Sequence, residues 1–282
     1  MRRLLEQSFR RLVGTSSTRP VGTCEARVIA VAANKGGVGK TTTSVHLASA
    51  LARFCGQRVL LLDLDPQGHV HRALHALARP GGETLSSVLR AEDGDVVDAT
   101  VASEIPRLDL TAADVQLGET EQLLAARIGR ETLLRQALQT ARTWYDVIVI
   151  DCPPSLGTLT INGLVAADEV LVPTEPAPLA VEGVGDLLAA LTSVSRRLNP
   201  NLGLTGILTT RVDGRATTMN DRAREALEAL APGAVLPVHI GVNAHLARAP
   251  EAGRDVFETA PRSRGAQQYR ALAEHLSTEW SA

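Results

Sequence analysis

Val28-Ile29-Ala30-Val31-Ala32-Ala33-Asn34-Lys35-Gly36-Gly37-Val38-Gly39-Lys40-Thr41-Thr42 is the stretch from which the rest of the chain can be read. It opens with an apolar run that never alternates, which is how a strand buried on both faces reads. Gly36, Gly37 and Gly39 then remove side chains, so that successive backbone N–H groups can turn inward around an anion. Lys40-Thr41-Thr42 starts a helical stretch, whose N-terminus adds partial positive charge at the same place. Lysine usage marks the spot independently. Of 29 basic residues 27 are arginine, and the only lysines are Lys35 and Lys40. A compact ammonium on a thin stem can thread a tight backbone loop onto a phosphate; a broad guanidinium cannot. The stretch is predicted to be strand, phosphate-binding loop and helix, with Lys40 on the β- and γ-phosphates of a nucleotide and the Thr41 hydroxyl on Mg²⁺. It departs from the strict GxxxxGK[ST] pattern at one position, where Asn34 replaces the first glycine.

The same alternation continues outward. Apolar, β-branched runs at 28–33, 59–62, 147–150, 170–172 and 204–208 read as buried strands. Helical stretches at 40–54, 133–141, 181–198, 219–230 and 265–280 lie between and after them. This predicts an α/β fold with a mostly parallel sheet and helices on both faces, a three-layer sandwich. Residues 27–282 are read as one domain, with 81–124 its least regular part. Residues 1–26 form a basic extension and linker: Leu4, Leu5, Phe9, Leu12 and Val13 fall on one helical stripe, and a Gly/Ser/Thr/Pro stretch follows. Two readings of that extension stand: a loosely attached tail, or a short basic helix that touches DNA, an acidic membrane or a partner.

Composition narrows the function. With 44% hydrophobic and 21% charged residues the chain can build an ordinary globular core, but aromatics at 2% make that core aliphatic. So few aromatics also argue against a single-strand binder that stacks bases. Net charge is −2, with the positive charge gathered in residues 1–27 (six Arg, two Glu) and 211–270 (nine Arg, seven acids). Any nucleic-acid contact must come from a local patch. Cys24, Cys55 and Cys152 show no metal spacing, and their odd number opposes a disulfide framework. No run is long enough to span a membrane and no secretory signal is visible, so a cytoplasmic protein is expected.

Two acidic segments support the nucleotide reading. Leu62-Asp63-Leu64-Asp65-Pro66-Gln67-Gly68 ends one expected strand with carboxylates at i and i+2, on one side of an extended chain. Ile150-Asp151-Cys152-Pro153-Pro154-Ser155 ends another, with Asp151 where a carboxylate holds the metal through water. Any one of these acids alone would read as a loop cap. Three of them at C-terminal strand ends, where open sheets place their ligands, read as a site.

These motifs, with Asp213-Gly214-Arg215, Leu246-Ala247-Arg248-Ala249-Pro250 and Ser263-Arg264-Gly265-Ala266, resemble the deviant phosphate-loop ATPases of the ParA/Soj partition group from residue 27 to the end. The resemblance implies ATP and Mg²⁺ as cofactors and a nucleotide site of Lys35, Gly36, Gly37, Val38, Gly39, Lys40, Thr41 and Thr42, with Asn243 near adenine. It implies that Lys35 reaches across a homodimer to the partner's ATP, that Asp65 orients the attacking water, and that Asp63, Asp151 and Thr41 serve the metal. The segment 151–157 would sense the γ-phosphate. Slow hydrolysis stimulated by a ParB-like centromere-binding protein, and attachment of the ATP dimer to non-specific double-stranded DNA through Arg215, would make it cytoplasmic and nucleoid-associated. Ile240-Gly241-Val242-Asn243-Ala244-His245-Leu246 departs from the family's Ile-Pro-Arg-Asn-Val-Arg-Leu, losing both arginines, while Arg248 stands where relatives carry an acid and is expected to restore positive charge for DNA binding beside Arg215.

The alternative is a MinD-like membrane-associated positioning ATPase. Relatives of that kind end in a basic amphipathic helix, whereas no Arg or Lys follows Arg270 here, so a membrane role is not expected. An iron–sulfur reductase of the nitrogenase-iron-protein type would need paired cysteines at a dimer axis, which the cysteine positions do not suggest.

Overall fold

The computed structural model describes residues 25–281 other than Pro80 and Ala113. The basic extension, with its apolar stripe, and Cys24 lie outside the described residues. Eight strands form one sheet: β1 (Arg27–Val31), β2 (Val59–Asp63), β3 (Thr100–Ala102), β4 (Leu108–Thr111), β5 (Val147–Asp151), β6 (Glu169–Thr174), β7 (Gly203–Val212) and β8 (Val235–Gly241), in the order β3-β4-β2-β5-β1-β6-β7-β8. All neighbours are parallel except β3 and β4.

The strand alternation inside these apolar runs sorts the core into two layers. On β1, Val28 and Ala30 pack with Leu60, Leu62, Ile148 and Ile150 against the helices Thr158–Ala166 and Pro178–Arg197. Ile29 and Val31 pack with Leu61, Val149 and Leu171 against the helices Lys40–Phe54 and Arg264–Glu279. The expected three-layer sandwich is the observed one.

Register places the chemistry. Val31 at the end of β1 pairs with Asp151 at the end of β5, and Asp151 pairs in turn with Asp63 at the end of β2. Both carboxylates therefore stand at the same edge of the sheet as the loop that leaves β1.

The structure corrects four sequence readings. The stretch 81–124, read as the least regular part and given no strand, holds β3 and β4, and Asp109 interrupts the apolar run of β4 because its carboxylate is buried against the Tyr145 hydroxyl at 2.9 Å. β8 was missed because Pro237 and His239 break its pattern; as an edge strand it tolerates a residue with no N–H and a half-exposed face. The helix expected at 133–141 is two short ones, Leu133–Ala137 and Gln139–Arg142. The strand read through Asp65 stops earlier, because β2 ends at Asp63, whose carboxylate accepts the Asp65 N–H at 3.1 Å just before the turn that begins at Asp65.

Candidate nucleotide-binding site

The loop Asn34–Gly39 joins β1 to the helix Lys40–Phe54. Gly37 (φ 81°) and Gly39 (φ 88°) occupy the left-handed region, which only a residue without Cβ enters at little cost. Gly39 is the N-cap residue and no side chain caps the helix, so its first N–H groups remain available to an anion. The mouth of the loop opens into a cavity of about 420 Å³ lined by Gly36, Gly37, Gly39, Lys40, Thr41 and Asp65, among others. A second lobe of about 270 Å³ shares Gly37, Gly39 and Thr42 and is closed by Thr210, Arg211, Asn243 and Tyr269.

Lys40 is 7% exposed, and its Nζ donates to the Lys35 carbonyl at 3.2 Å, inside its own loop. Burial lowers its pKa, against the opposing pull of Asp151 and Asp65. Asp151 is fully buried and accepts from the Thr41 hydroxyl (2.7 Å) and the Ser44 hydroxyl (2.8 Å). Burial pushes its carboxyl up to about 6, although both hydroxyls and Lys40 favour the charged form. Asp63, held well above the usual carboxylate range by burial and then by neighbouring Asp151, accepts from the backbone N–H groups of Asp65 and Val70, both at 3.1 Å. It therefore also staples the turn that positions Asp65. One Asp65 oxygen accepts the Gln67 N–H at 2.9 Å; the other faces His69 Nδ1 at 3.8 Å, beyond hydrogen-bond reach.

This donor set suits a magnesium nucleotide. A hydroxyl and buried carboxylates are hard oxygen ligands, and a divalent cation beside them would offset the burial that raises Asp63 and Asp151. Thr41, Asp151 and Asp63 stand where they could hold that ion directly or through water, and it would supply neutralisation of phosphate charge.

The remaining predicted residues divide. Lys35 is exposed, and its side chain has no partner among the described residues. Val38 is buried, anchoring the loop from below, and Thr42 lines both lobes. Asn243 lines the second lobe and caps the helix Ala244–Arg248 by accepting the His245 N–H at 2.9 Å. Arg215 lies outside the cluster, 91% exposed and bidentate to Asp213 at 3.0 and 2.8 Å. Arg248 is exposed and has no side-chain partner among the described residues. Sequence reading missed Ser44, one helical turn from Thr41, whose spacing was a usable signal. It also missed Thr210 and Arg211, which nothing but nearness to Asp213-Gly214-Arg215 marked.

Among the described residues no group of His, Cys, Asp and Glu is arranged to hold a metal by itself, and Cys55 and Cys152 are free and apart. No helix among them is long and apolar enough to cross a membrane.

A parallel sheet with a glycine loop on its central strand and buried carboxylates on the adjoining strand ends defines a phosphate-loop nucleotide-binding protein. Comparison with known proteins narrows that class. Residues 26–204 match the family model described as an AAA domain. The chain is 39% identical over 251 residues to the sporulation initiation inhibitor protein Soj of Bacillus subtilis, covering 89% of this chain and 98% of that one. It is 42% identical over 259 residues to the chromosome-partitioning ATPase Soj of Thermus thermophilus, covering 89% and 96%. A Mycobacterium smegmatis structure described as cobyrinic acid a,c-diamide synthase, with bound ADP and magnesium, superposes with a TM-score of 0.74 at 37% identity, covering 91% and 96%. The septum site-determining protein MinD of Pyrococcus horikoshii, complexed with Mg-ADP, has a TM-score of 0.73 over 89% and 96%; at 23% identity it shows the fold alone. The chain belongs to the Soj/ParA family of chromosome-partitioning ATPases.

Proposed function

We propose that this chain is an ATP-dependent partition switch: it binds ATP with Mg²⁺, closes into a homodimer through the sandwiched nucleotide, and in that state attaches to double-stranded DNA without sequence preference. Hydrolysis of ATP to ADP and phosphate, stimulated by a ParB-like partner, releases it. Lys40 neutralises the phosphates of its own subunit, Thr41 and Asp151 hold the metal, and Asp63 supports them while fixing the turn. Asp65, with one oxygen tied to the Gln67 amide and one uncommitted, orients the attacking water. The segment 151–157, which leaves the sheet directly beside Thr41, responds to the γ-phosphate. Arg215 and Arg248 contribute to the DNA-facing surface.

Lys35 carries the reading. It is one of only two lysines in the chain, it is exposed beside a loop whose own lysine is already buried, and its side chain has no partner among the described residues. A cation with nothing to neutralise in its own subunit suits a phosphate brought by another, and a two-fold dimer supplies that geometry for both copies. A membrane-positioning role is less well supported. The C-terminal helix that would serve it buries Leu272, Ala273 and Leu276 in the core beside the phosphate-loop helix. The test is Lys35→Ala with ATP and Mg²⁺ in light scattering and in co-sedimentation with duplex DNA. It should bind ATP as a monomer yet lose dimerisation and DNA attachment together; a normal ATP dimer would remove the sandwich.

A further inference from the structure

Two residues that neither the family motifs nor the sequence reading singled out touch the phosphate loop from outside. The Thr210 hydroxyl is 2.7 Å from the Val38 carbonyl and 3.1 Å from the Thr174 carbonyl. Arg211 donates from one terminal nitrogen of its guanidinium to the Gly37 carbonyl and to Glu175 Oε1, both at 3.0 Å. The ends of β6 and β7 are thereby stitched to two consecutive carbonyls of the loop.

Adjacent residues of a strand should not be able to do this, because their side chains point to opposite faces. Here β7 carries an extra residue against β8: Thr209 pairs with His239 and Val212 with Gly241, so three steps on one strand match two on the other. Within that bulge Arg211 takes φ 52°, a left-handed conformation that a residue with a Cβ adopts only under constraint. The bulge breaks the alternation and lets both side chains face the loop.

Peptide planarity makes the contact consequential. In a trans peptide the C=O of one residue and the N–H of the next point in opposite directions, and no peptide bond among the described residues is cis. Holding the Gly37 carbonyl outward therefore holds the Val38 N–H inward, and holding the Val38 carbonyl does the same for the Gly39 N–H. Both inward groups belong to the ring of donors that an anion would meet. Glycine-rich backbone has the most conformational freedom to lose, so pinning it before a ligand arrives lowers the cost of binding.

We infer that Thr210 and Arg211 are positioning residues that pre-organise the anion hole of the phosphate loop, with Arg211 the clamp and Glu175 its anchor. The inference rests on the loop being the nucleotide site. Its ligand class is the polyphosphate part of a nucleotide, not the base.

Calorimetric titration of Arg211→Met, which keeps bulk and removes the donors, should show ADP–Mg²⁺ affinity reduced roughly 3- to 10-fold, the range of one lost hydrogen bond. The affinity for adenosine, which has no phosphate, should stay unchanged. In the nucleotide-free protein, hydrogen exchange of the 34–39 backbone should be faster in Arg211→Met than in the wild type. Arg211→Lys, which keeps one donor, should recover part of both effects, and Arg222→Met, an exposed arginine on the helix Thr217–Leu230, should show neither. Equal losses for adenosine and ADP would make Arg211 a base contact and overturn the clamp. Wild-type ADP affinity with wild-type exchange would overturn it too. Lys40→Ala separates the two readings: if it still binds ADP normally, the nucleotide site itself is misplaced; if it does not bind while Arg211→Met binds with wild-type affinity and exchanges at the wild-type rate, only the clamp fails.

Discussion

Two charged regions of this protein invite opposite treatment. At the C-terminal ends of β1, β2 and β5 the charges are few and buried: Lys40, Asp63, Asp65 and Asp151 are each under 10% exposed, and each is held by named hydrogen bonds. On the surface of residues 211–270 the charges are many and exposed, and several cancel locally, as Arg215 with Asp213 and Arg254 with Glu258 do. Buried charge costs several kcal/mol per ion, so a fold keeps it only where something else depends on it. Exposed pairs are worth little and can arise anywhere in a chain that uses arginine for nearly all its positive charge. At these strand ends the buried charges gather beside one cavity, which Lys40 and Asp65 line, whereas an exposed arginine is available to an outside phosphate only where no carboxylate already occupies its fork.

The sharpest way to break this contrast is Lys40→Ala. It removes the one cation among the buried carboxylates and should abolish ATP binding, a loss of at least about 3 kcal/mol for charge-assisted contacts to phosphate. Lys40→Arg should do almost the same, because the guanidinium is too broad for the loop. Tight nucleotide binding by either variant in a calorimeter would show that the buried charges serve stability alone.

On the exposed side the same logic orders two arginines. Arg248 has no partner among the described residues, whereas Arg215 spends its fork on Asp213, whose carboxyl it holds down at about 2. Arg248→Glu should therefore weaken the proposed ATP-dependent DNA attachment more than Arg215→Glu, and each lost phosphate contact should flatten the salt dependence by about one unit of slope. Asp213→Asn should free Arg215 and strengthen attachment a few-fold. The reverse ranking in filter binding across a salt series would mean that local cancellation does not govern this surface.

The remaining effect concerns a buried carboxyl outside the site. Burial raises Asp109 to about 6, against the hydrogen bond from Tyr145 and the nearby Arg58. Its folded value lies above the unfolded one, so between about pH 4 and 6 the native state binds the extra proton. The contribution of this group to stability is then full below about pH 4 and is lost as pH rises through about 6. Its ceiling is about 3 kcal/mol for a shift of roughly two units, and competing groups reduce it. Urea titrations at pH 5 and 7 should show a smaller pH dependence in Asp109→Asn than in the wild type. An unchanged difference would assign that dependence to other groups.

How much was legible beforehand follows the same division. Runs such as Val147–Asp151 are continuous and β-branched, and buried parallel strands have no other way to look, so they could be read directly. β8 could not, because an edge strand need satisfy neither face fully and carries Pro237 and His239 without penalty. β4 was hidden by Asp109, which is tolerable because Tyr145, 36 residues away, and Arg58 reach it. Lys40, Thr41, Asp63 and Asp151, which the structure brings together, could be picked out because glycine spacing and strand-end acids are local patterns. Arg211 was not, because an arginine 174 residues from Gly37 becomes a loop contact only once β7 bulges and turns it there.

The sequence by itself determined the strand–loop–helix at the start of the domain, the alternation of buried strands with helices and the choice of Lys40 as the lysine at the loop's end. All of these depend on residues within a few positions of one another, where φ preference, periodicity and side-chain shape act directly. The tertiary structure alone decided that Thr41 and Ser44 both reach Asp151, that Tyr145 reaches Asp109, and that Thr210 and Arg211 hold the loop. Those outcomes depend on which groups distant in sequence arrive within hydrogen-bond reach of a side chain. That is set by sheet order and by a single extra residue in β7, quantities that no local window of sequence contains.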